Sequence, residues 1–113
     1  MLKQDNRIRR NKDFDRVFKA GQSFYGRVFG IKAVSNDLAK NRFGILISTK
    51  VSKKAVVRNL YKRRLRALLR AEMKQLKTGY DVVIIVFPLI LEKNQQELAV
   101  LVKTGLKRLN LYE

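Results

Sequence analysis

The spacing of hydrophobic residues changes several times along the chain, and each change predicts a new secondary-structure element. Near the N-terminus, Phe14, Val17 and Phe18 share one face of a short helix. Asn11 is expected to cap this helix and Gly21 to end it. We expect its apolar face to pack against the rest of the fold.

The two segments that follow alternate in side-chain character, which is typical of strands. The first, residues 25–34, divides its side chains between two faces, with Phe29, Ile31 and Ala33 on one and Val28, Gly30 and Lys32 on the other. The second, residues 42–49, directs Ile45 and Ile47 towards the core. The polar residues 35–41 between them predict a turn.

The longest predicted helix lies between Ser52 and Gly79. Its apolar residues recur at three- and four-residue intervals, so they predict a buried stripe. The stripe consists of Val57, Leu60 or Tyr61, Leu65, Leu68, Leu69, Met73 and Leu76.

Residues 81–87 are almost continuously apolar, as expected of a strand covered on both faces in the middle of a sheet. The longest apolar run is only about half as long as the roughly 20 residues that a membrane-spanning helix needs. A last helix, residues 94–109, begins with Asn94 and Glu97 spaced as a capping box. Its expected buried residues are Leu98, Leu101, Val102, Leu106 and Leu109.

These elements follow the order helix, two or three strands, helix, strand, helix, with no linker or repeat between them. We therefore expect one α/β domain over residues 1–113. The charged N-terminus is not followed by an apolar stretch, so it does not resemble a signal peptide, and a cytoplasmic protein is expected.

The charge of the chain predicts that this small domain has a polyanionic partner. The chain has 26 Lys and Arg against 9 Asp and Glu, a net charge of +17. Between Lys50 and Lys77 there are eleven Lys or Arg and a single acid, Glu72. Charge concentrated in this way predicts a polyanion as the partner.

Composition argues against chemistry performed by the chain itself. It contains no Cys and no His, which removes thiolate ligands, the commonest metal ligand and the usual acid-base side chain near neutral pH. Asp13 and Asp15 are close in sequence but point to different sides of a helix. We therefore predict no catalytic residues and no metal ligands.

Two sets of residues are candidates for binding, and each has a purely structural alternative. Arg58, Lys62, Arg66, Arg70 and Lys74 follow at four-residue intervals on the long helix, with Arg63 and Arg64 beside them. A solvated helix face is the alternative, but such faces usually interleave Glu with Lys. Phe14 and Phe18 either pack in the core or present their rings to unstacked bases, and the residues alone do not decide between these roles.

Four segments of the chain resemble the protein component of bacterial ribonuclease P. They are Arg7–Phe14 with Val17–Gly21, Phe43–Lys50, Ala55–Arg66, and Tyr80–Ile84. The resemblance covers roughly residues 7–109, and the helical segment is its most specific part.

The resemblance implies an α+β two-layer sandwich with a four-stranded sheet and about three helices, similar to a ribosomal-protein domain. It also implies a left-handed crossover through the long helix, against the usual rule. Such proteins are subunits of an endoribonuclease whose catalytic RNA removes the 5′ leader of precursor tRNA. The resemblance further implies that Mg²⁺ is held by the RNA and the substrate. The partners of the protein are then the catalytic RNA and precursor tRNA, and no membrane association is expected.

The expected site residues, taken from the charge pattern and from the resemblance together, fall into two groups. The expected RNA-binding residues are Arg58, Asn59, Lys62, Arg63, Arg66, Arg70, Lys50, Lys53, Lys54, Arg9 and Arg10. The expected leader-binding cleft contains Phe14, Phe18 and Lys32.

Two positions depart from the family pattern. Leu60 replaces the second arginine of an Arg-Asn-Arg motif, and Lys32 stands where an aromatic residue is frequent. The rival functions are a small basic ribosomal protein that binds ribosomal RNA, a DNA regulator and an autonomous nuclease.

Overall fold

The computed structural model describes residues 4–113 and contains four strands and three α-helices. The strands are β1 (Gln22–Tyr25), β2 (Phe29–Ser35), β3 (Arg42–Leu46) and β4 (Tyr80–Val86). The helices are α1 (Asn11–Ala20), α2 (Ala55–Glu72) and α3 (Gln95–Arg108). Short 3₁₀ segments lie at Gln4–Asn6, Met73–Gln75 and Pro88–Glu92. The predicted domain also includes residues 1–3, which lie outside the described residues.

The strands form one mixed sheet in the order β1-β2-β4-β3. Strand β2 pairs antiparallel with β1 and β4, whereas β3 and β4 are parallel neighbours joined through α2. The expected α+β fold with a four-stranded sheet and three helices is confirmed, as is the interior position of β4. The left hand of the crossover stays a prediction.

The strand predicted over residues 25–34 is in fact a hairpin, because a turn interrupts it. The Gly26 N–H donates to the Phe29 carbonyl at 3.0 Å and closes this turn. Strand β1 then runs beside β2, with Tyr25 opposite Gly30.

One face of the sheet carries the main core, against α2 and α3. The predicted stripe of α2 is largely confirmed, and at its ambiguous position Tyr61 is buried and Leu60 is not. Fully buried side chains of this core include Ile31, Leu65, Leu69, Ile84, Leu98 and Leu106. The capping box of α3 is also confirmed, since Asn94 Oδ1 accepts from the Glu97 N–H at 2.8 Å.

Helix α1 lies across the opposite face, which it covers only in part. A smaller cluster of Ile8, Val17 and Val83 attaches it to the sheet, with Phe14 packed against them. A side chain at Gly44 would place its Cβ 2.5 Å from the Phe14 ring. The glycine therefore lets this ring lie directly on β3.

The ends of α1 differ from their prediction. Asn11 is the first helical residue, and the N-cap is Arg10, which makes no side-chain capping bond. The prediction of Asn11 as the cap was wrong because its backbone is already helical. Gly21 does end the helix, and a Cβ there would lie 2.4 Å from the Val17 carbonyl oxygen, so close backbone approach requires glycine.

No helix within residues 4–113 is both long and apolar enough to span a membrane.

The main core predicts a large cost for truncating α2. Leu65→Ala should lower the free energy of unfolding by about 2–5 kcal/mol, because it leaves a cavity under a fully buried side chain. Urea denaturation measures this. Val100→Ala, at a side chain that is 63% exposed on α3, is the control and should change stability by no more than about 0.5 kcal/mol. Equal effects of the two substitutions would contradict the packing described.

Candidate nucleic-acid interface

A buried carboxylate at the start of β4 joins α1 to the sheet. Asp81 is fully buried and accepts two hydrogen bonds from Arg42, at 2.8 Å from Nε and 2.7 Å from Nη2. Arg16 of α1 donates to the same carboxylate at 2.9 Å, and Asn36 Nδ2 donates at 2.9 Å. We call these four residues the Asp81 network.

The network keeps Asp81 ionised. Burial raises the pKa of its carboxyl, but the hydrogen bonds from Arg42, Asn36 and Arg16 and the charge of Arg42 outweigh burial, so the pKa lies below its ordinary value. The same hydrogen bond to Asp81 raises the pKa of Arg42. This is a buried charge that is both paired and fully hydrogen-bonded, the condition under which burial is tolerated.

The network reaches the first turn of α1 through a second carboxylate. Arg42 Nη1 lies 3.4 Å from Asp13 Oδ2, and Arg16 Nη1 donates to the Ser35 carbonyl at 2.9 Å. Helix α1 is therefore tied to β3, β4 and the end of β2 by polar contacts as well as by Val17. These contacts set the position of α1 over the second face of the sheet.

The predicted basic residues of α2 line an open groove. Asn59, Lys62, Arg63 and Arg66 surround a cavity of about 460 Å³ together with Val56. We call this the α2 groove. Val56 is 79% exposed beside these cations.

Other predicted cations lie around the groove in different environments. Arg58 Nη1 donates to the Ser52 carbonyl at 2.8 Å, which ties it to the loop before α2. Arg64 lies against the Tyr61 ring, 5.2 Å from its centroid, and does not line the groove. Arg70 is exposed further along α2, and Lys50, Lys53 and Lys54 are exposed between β3 and α2.

Arg7 extends this surface beyond α2, although it was not among the predicted site residues. Burial lowers the pKa of Arg66, and the positive charge of Arg7 lowers it further. The buried Nε of Arg7 has no hydrogen-bond partner among the described residues. A backbone bridge to Phe43 holds Arg7 beside the edge strand β3.

The predicted cations Arg9 and Arg10 lie on the other side of Arg7. They line a polar cavity of about 290 Å³ whose other walls are Gln4, Asp5, Arg7, Asp13, Lys40 and Arg42. The Lys40 ammonium lies 3.9 Å from Asp5, and Arg42 is occupied by its carboxylate partners. Arg7 thus borders on both groups of cations, those of α2 and those of the N-terminal segment.

The predicted cleft residues lie on the second face of the sheet but differ in exposure. Phe14 is half-buried in the smaller core, as the packing interpretation expected. Phe18 is 38% exposed. The Lys32 ammonium lies 5.8 Å from the Phe18 ring centroid and 5.6 Å from that of Tyr25, which was not among the predicted site residues.

Residues 4–113 contain no group of three or more His, Cys, Asp or Glu side chains that could hold a metal ion. The fold and the surface together define a small α+β nucleic-acid-binding protein whose described residues offer cations and aromatic rings.

The chain belongs to the ribonuclease P protein family, because the family model described as Ribonuclease P matches residues 2–110. The ribonuclease P protein component of Pseudanabaena sp. is 40% identical over 99 residues, which cover 87% of this chain and 85% of that protein. The protein component of Alkaliphilus oremlandii is 31% identical over 110 residues, covering 97% and 96%.

Solved structures agree with this membership. The Staphylococcus aureus RNase P protein superposes with a TM-score of 0.87 at 26% identity, covering 96% of this chain and 98% of that one. The Thermotoga maritima RNase P protein gives a TM-score of 0.82 at 29% identity, covering 90% and 96%. The chain is thus an RNA-binding subunit of an endoribonuclease in which RNA performs catalysis, and the ribosomal-protein alternative has no support.

The Asp81 network predicts a pH-dependent loss of stability. Asp81→Asn should lower the free energy of unfolding at pH 7 by about 2 kcal/mol, less than the roughly 3–5 kcal/mol expected when a fully buried pair is broken. The expected loss is smaller than that of a fully buried pair because the Arg16 side chain is 38% exposed to solvent. Urea denaturation of both proteins measures the difference.

The sign of the pH effect follows from the lowered pKa of Asp81. Its contribution is present above the unfolded-state pKa of about 3.9 and is lost as the pH falls towards the folded-state pKa. The stability difference between parent and variant should therefore shrink below about pH 4. A difference that stays constant down to pH 3 would contradict the ionised state of Asp81.

Proposed function

We propose that this chain binds the catalytic RNA through the α2 groove and the Arg7–Arg10 segment, and the 5′ leader of precursor tRNA through the cleft beside α1. It thereby assists the Mg²⁺-dependent endonucleolytic removal of the leader in the cytoplasm. The observation that carries this proposal is the absence of internal carboxylate partners for the groove cations among the described residues.

The distribution of ion pairs supports an external polyanion as the partner. Five of the nine acids in the described part of the chain pair elsewhere: Asp81 and Asp13 with α1 and β3, Asp5 with Lys40, and Glu72 and Glu97 with Lys103 and Lys93. Lys62, Arg63 and Arg66 have no carboxylate within 4.0 Å among residues 4–113. RNA phosphates supply the missing negative charge, and guanidinium groups bind them with two parallel hydrogen bonds.

The same cations explain how a protein without catalytic side chains assists Mg²⁺-dependent cleavage. Two RNA molecules repel each other where they meet, and a cationic protein surface at that place lowers the repulsion. The substrate is then bound more tightly at a given Mg²⁺ concentration. Mg²⁺ itself is held by the catalytic RNA and the substrate in this proposal.

The second face of the sheet supports the proposed leader cleft. Phe18 lies at the open end of α1, and its ring is accessible to a base. Lys32 lies near this ring and provides a positive charge for the backbone of the same strand. Single-stranded nucleic acids bind surfaces that combine stacking rings with cations, without needing base-edge contacts. Phe14 contributes the wall of the cleft where it covers β3.

Removing two groove cations should make cleavage more dependent on Mg²⁺. Lys62→Ala with Arg63→Ala should weaken the complex with catalytic RNA, because each lost phosphate contact lowers affinity and reduces the salt dependence of binding by about 0.7–0.9 in the log–log slope. Cleavage by the reconstituted holoenzyme over a Mg²⁺ series should shift its midpoint to higher Mg²⁺.

The matched control removes two cations from α3, where Lys103→Ala with Lys107→Ala makes the same change in net charge. Both lysines are exposed and lie away from the α2 groove. If this control shifted the Mg²⁺ midpoint as far as the groove variant does, net charge rather than the groove would be responsible, and the proposed RNA contact would be wrong.

Removing the exposed Phe18 ring should weaken the binding only of substrates that carry a leader. Phe18→Ala should raise the Kd of the holoenzyme for precursor tRNA about fivefold or more, because a stacked base contributes roughly 1–3 kcal/mol. Binding of tRNA without a leader should be the same for parent and variant. A loss of equal size for both substrates would place Phe18 outside the leader cleft.

A further inference from the structure

Tyr25 lies on the same face of the sheet as the proposed leader cleft, on the edge strand β1. It pairs across the hairpin with Gly30 of β2. A Cβ at Gly30 would lie 2.6 Å from Cδ1 and 2.8 Å from Cε1 of the Tyr25 ring. The ring therefore rests against the bare backbone of β2, in a space that any larger residue at position 30 would fill.

The ring is held in place but is not buried. Tyr25 is 58% exposed and packs in neither hydrophobic core. An aromatic side chain that is supported from below and open above offers a flat surface to a ligand. Core packing does not account for this arrangement.

Lys32 links this ring to that of Phe18. Its ammonium lies 5.6 Å from the Tyr25 centroid and 5.8 Å from the Phe18 centroid, and it donates to Ser23 Oγ at 3.1 Å. The two rings attract the ammonium by cation–π interaction. The ammonium has no carboxylate partner among residues 4–113. A cation between two accessible rings matches a nucleotide, which offers a flat base and a negative phosphate.

We infer that Tyr25 is a stacking platform of the leader cleft, forming with Lys32 and Phe18 a subsite for an unpaired nucleotide. The inference rests on the proposed function and adds a specificity-determining residue to it. In this subsite the Tyr25 ring stacks on a base and the Lys32 ammonium contacts the neighbouring phosphate.

The position of Tyr25 implies that this subsite binds a different leader nucleotide from the one that meets Phe14. Phe14 covers Gly44 on β3, whereas the Tyr25 ring rests over Gly30 of β2. Two strand spacings separate β3 from β2, about 10 Å in a sheet with neighbours roughly 4.8 Å apart. A leader strand that crosses the sheet therefore meets Phe14 and Tyr25 with different nucleotides.

Binding of a leader-length series to the reconstituted holoenzyme tests this inference. Tyr25→Ala should raise the Kd for precursor tRNA with a long leader about fivefold or more. The effect should vanish when the leader is shortened past one defined nucleotide, and Tyr25→Phe should restore the affinity because it keeps the ring. Phe18→Ala is measured in parallel as a test of the cleft itself.

Each result supports or overturns a specific statement. If Phe18→Ala weakens leader binding and Tyr25→Ala does not, the Tyr25 subsite is wrong while the leader cleft stands. If neither variant weakens it, the proposed leader cleft fails as well. A Tyr25→Ala loss that persists without a leader, or that Tyr25→Phe does not restore, would rule out stacking on a leader base.

Discussion

The hydrogen-bonded ion pairs of Asp81 are the constraint on which the arrangement of this molecule depends. Helix α1 touches the sheet through a small apolar cluster, so packing alone leaves much of its orientation open. Arg16 and Arg42 remove this freedom because both bind one buried carboxylate at the start of β4. The network thereby fixes Phe18 relative to Lys32. Arg42 also lines the cavity of Arg9 and Arg10, so the network extends to the cations of the N-terminal segment.

The fold separates stability from binding between the two faces of its sheet. The face against α2 and α3 is closed by a continuous core, whose residues meet on elements far apart in sequence. The face under α1 is only partly covered, and there the strands present small or cationic residues such as Gly30 and Lys32. One helix takes part in both roles, because α2 directs Leu65 and Leu69 inwards while Asn59 and Arg63 remain outside. The binding residues of α2 are therefore different side chains from those that form its part of the core.

Much of this organisation follows from patterns that act over a few residues. The stripe of α2, the interior strand β4 and the capping box at Asn94 were predictable because each depends on neighbours within a turn or a strand. The hairpin before Phe29 was missed because a backbone turn of three residues overrides a pattern of alternation, and the cap of α1 was missed because Asn11 is already helical. Asp81, Arg7 and Tyr25 gave no local signal. Their roles arise from partners 36 or more residues away, or from a glycine on the neighbouring strand.

In the proposed arrangement, the α2 surface holds the catalytic RNA while the face beside α1 holds the leader. The chain contains no cysteine, so a single introduced one can carry a tethered hydroxyl-radical probe at a known position. Ala67 on α2 and Ser23 on β1 are both exposed, so Ala67→Cys and Ser23→Cys can each carry the probe. In the holoenzyme bound to precursor tRNA, the Ala67 probe should cleave the catalytic RNA and the Ser23 probe should cleave the leader. Cleavage of the leader from Ala67, or an uncut leader with the probe at Ser23, would contradict the account.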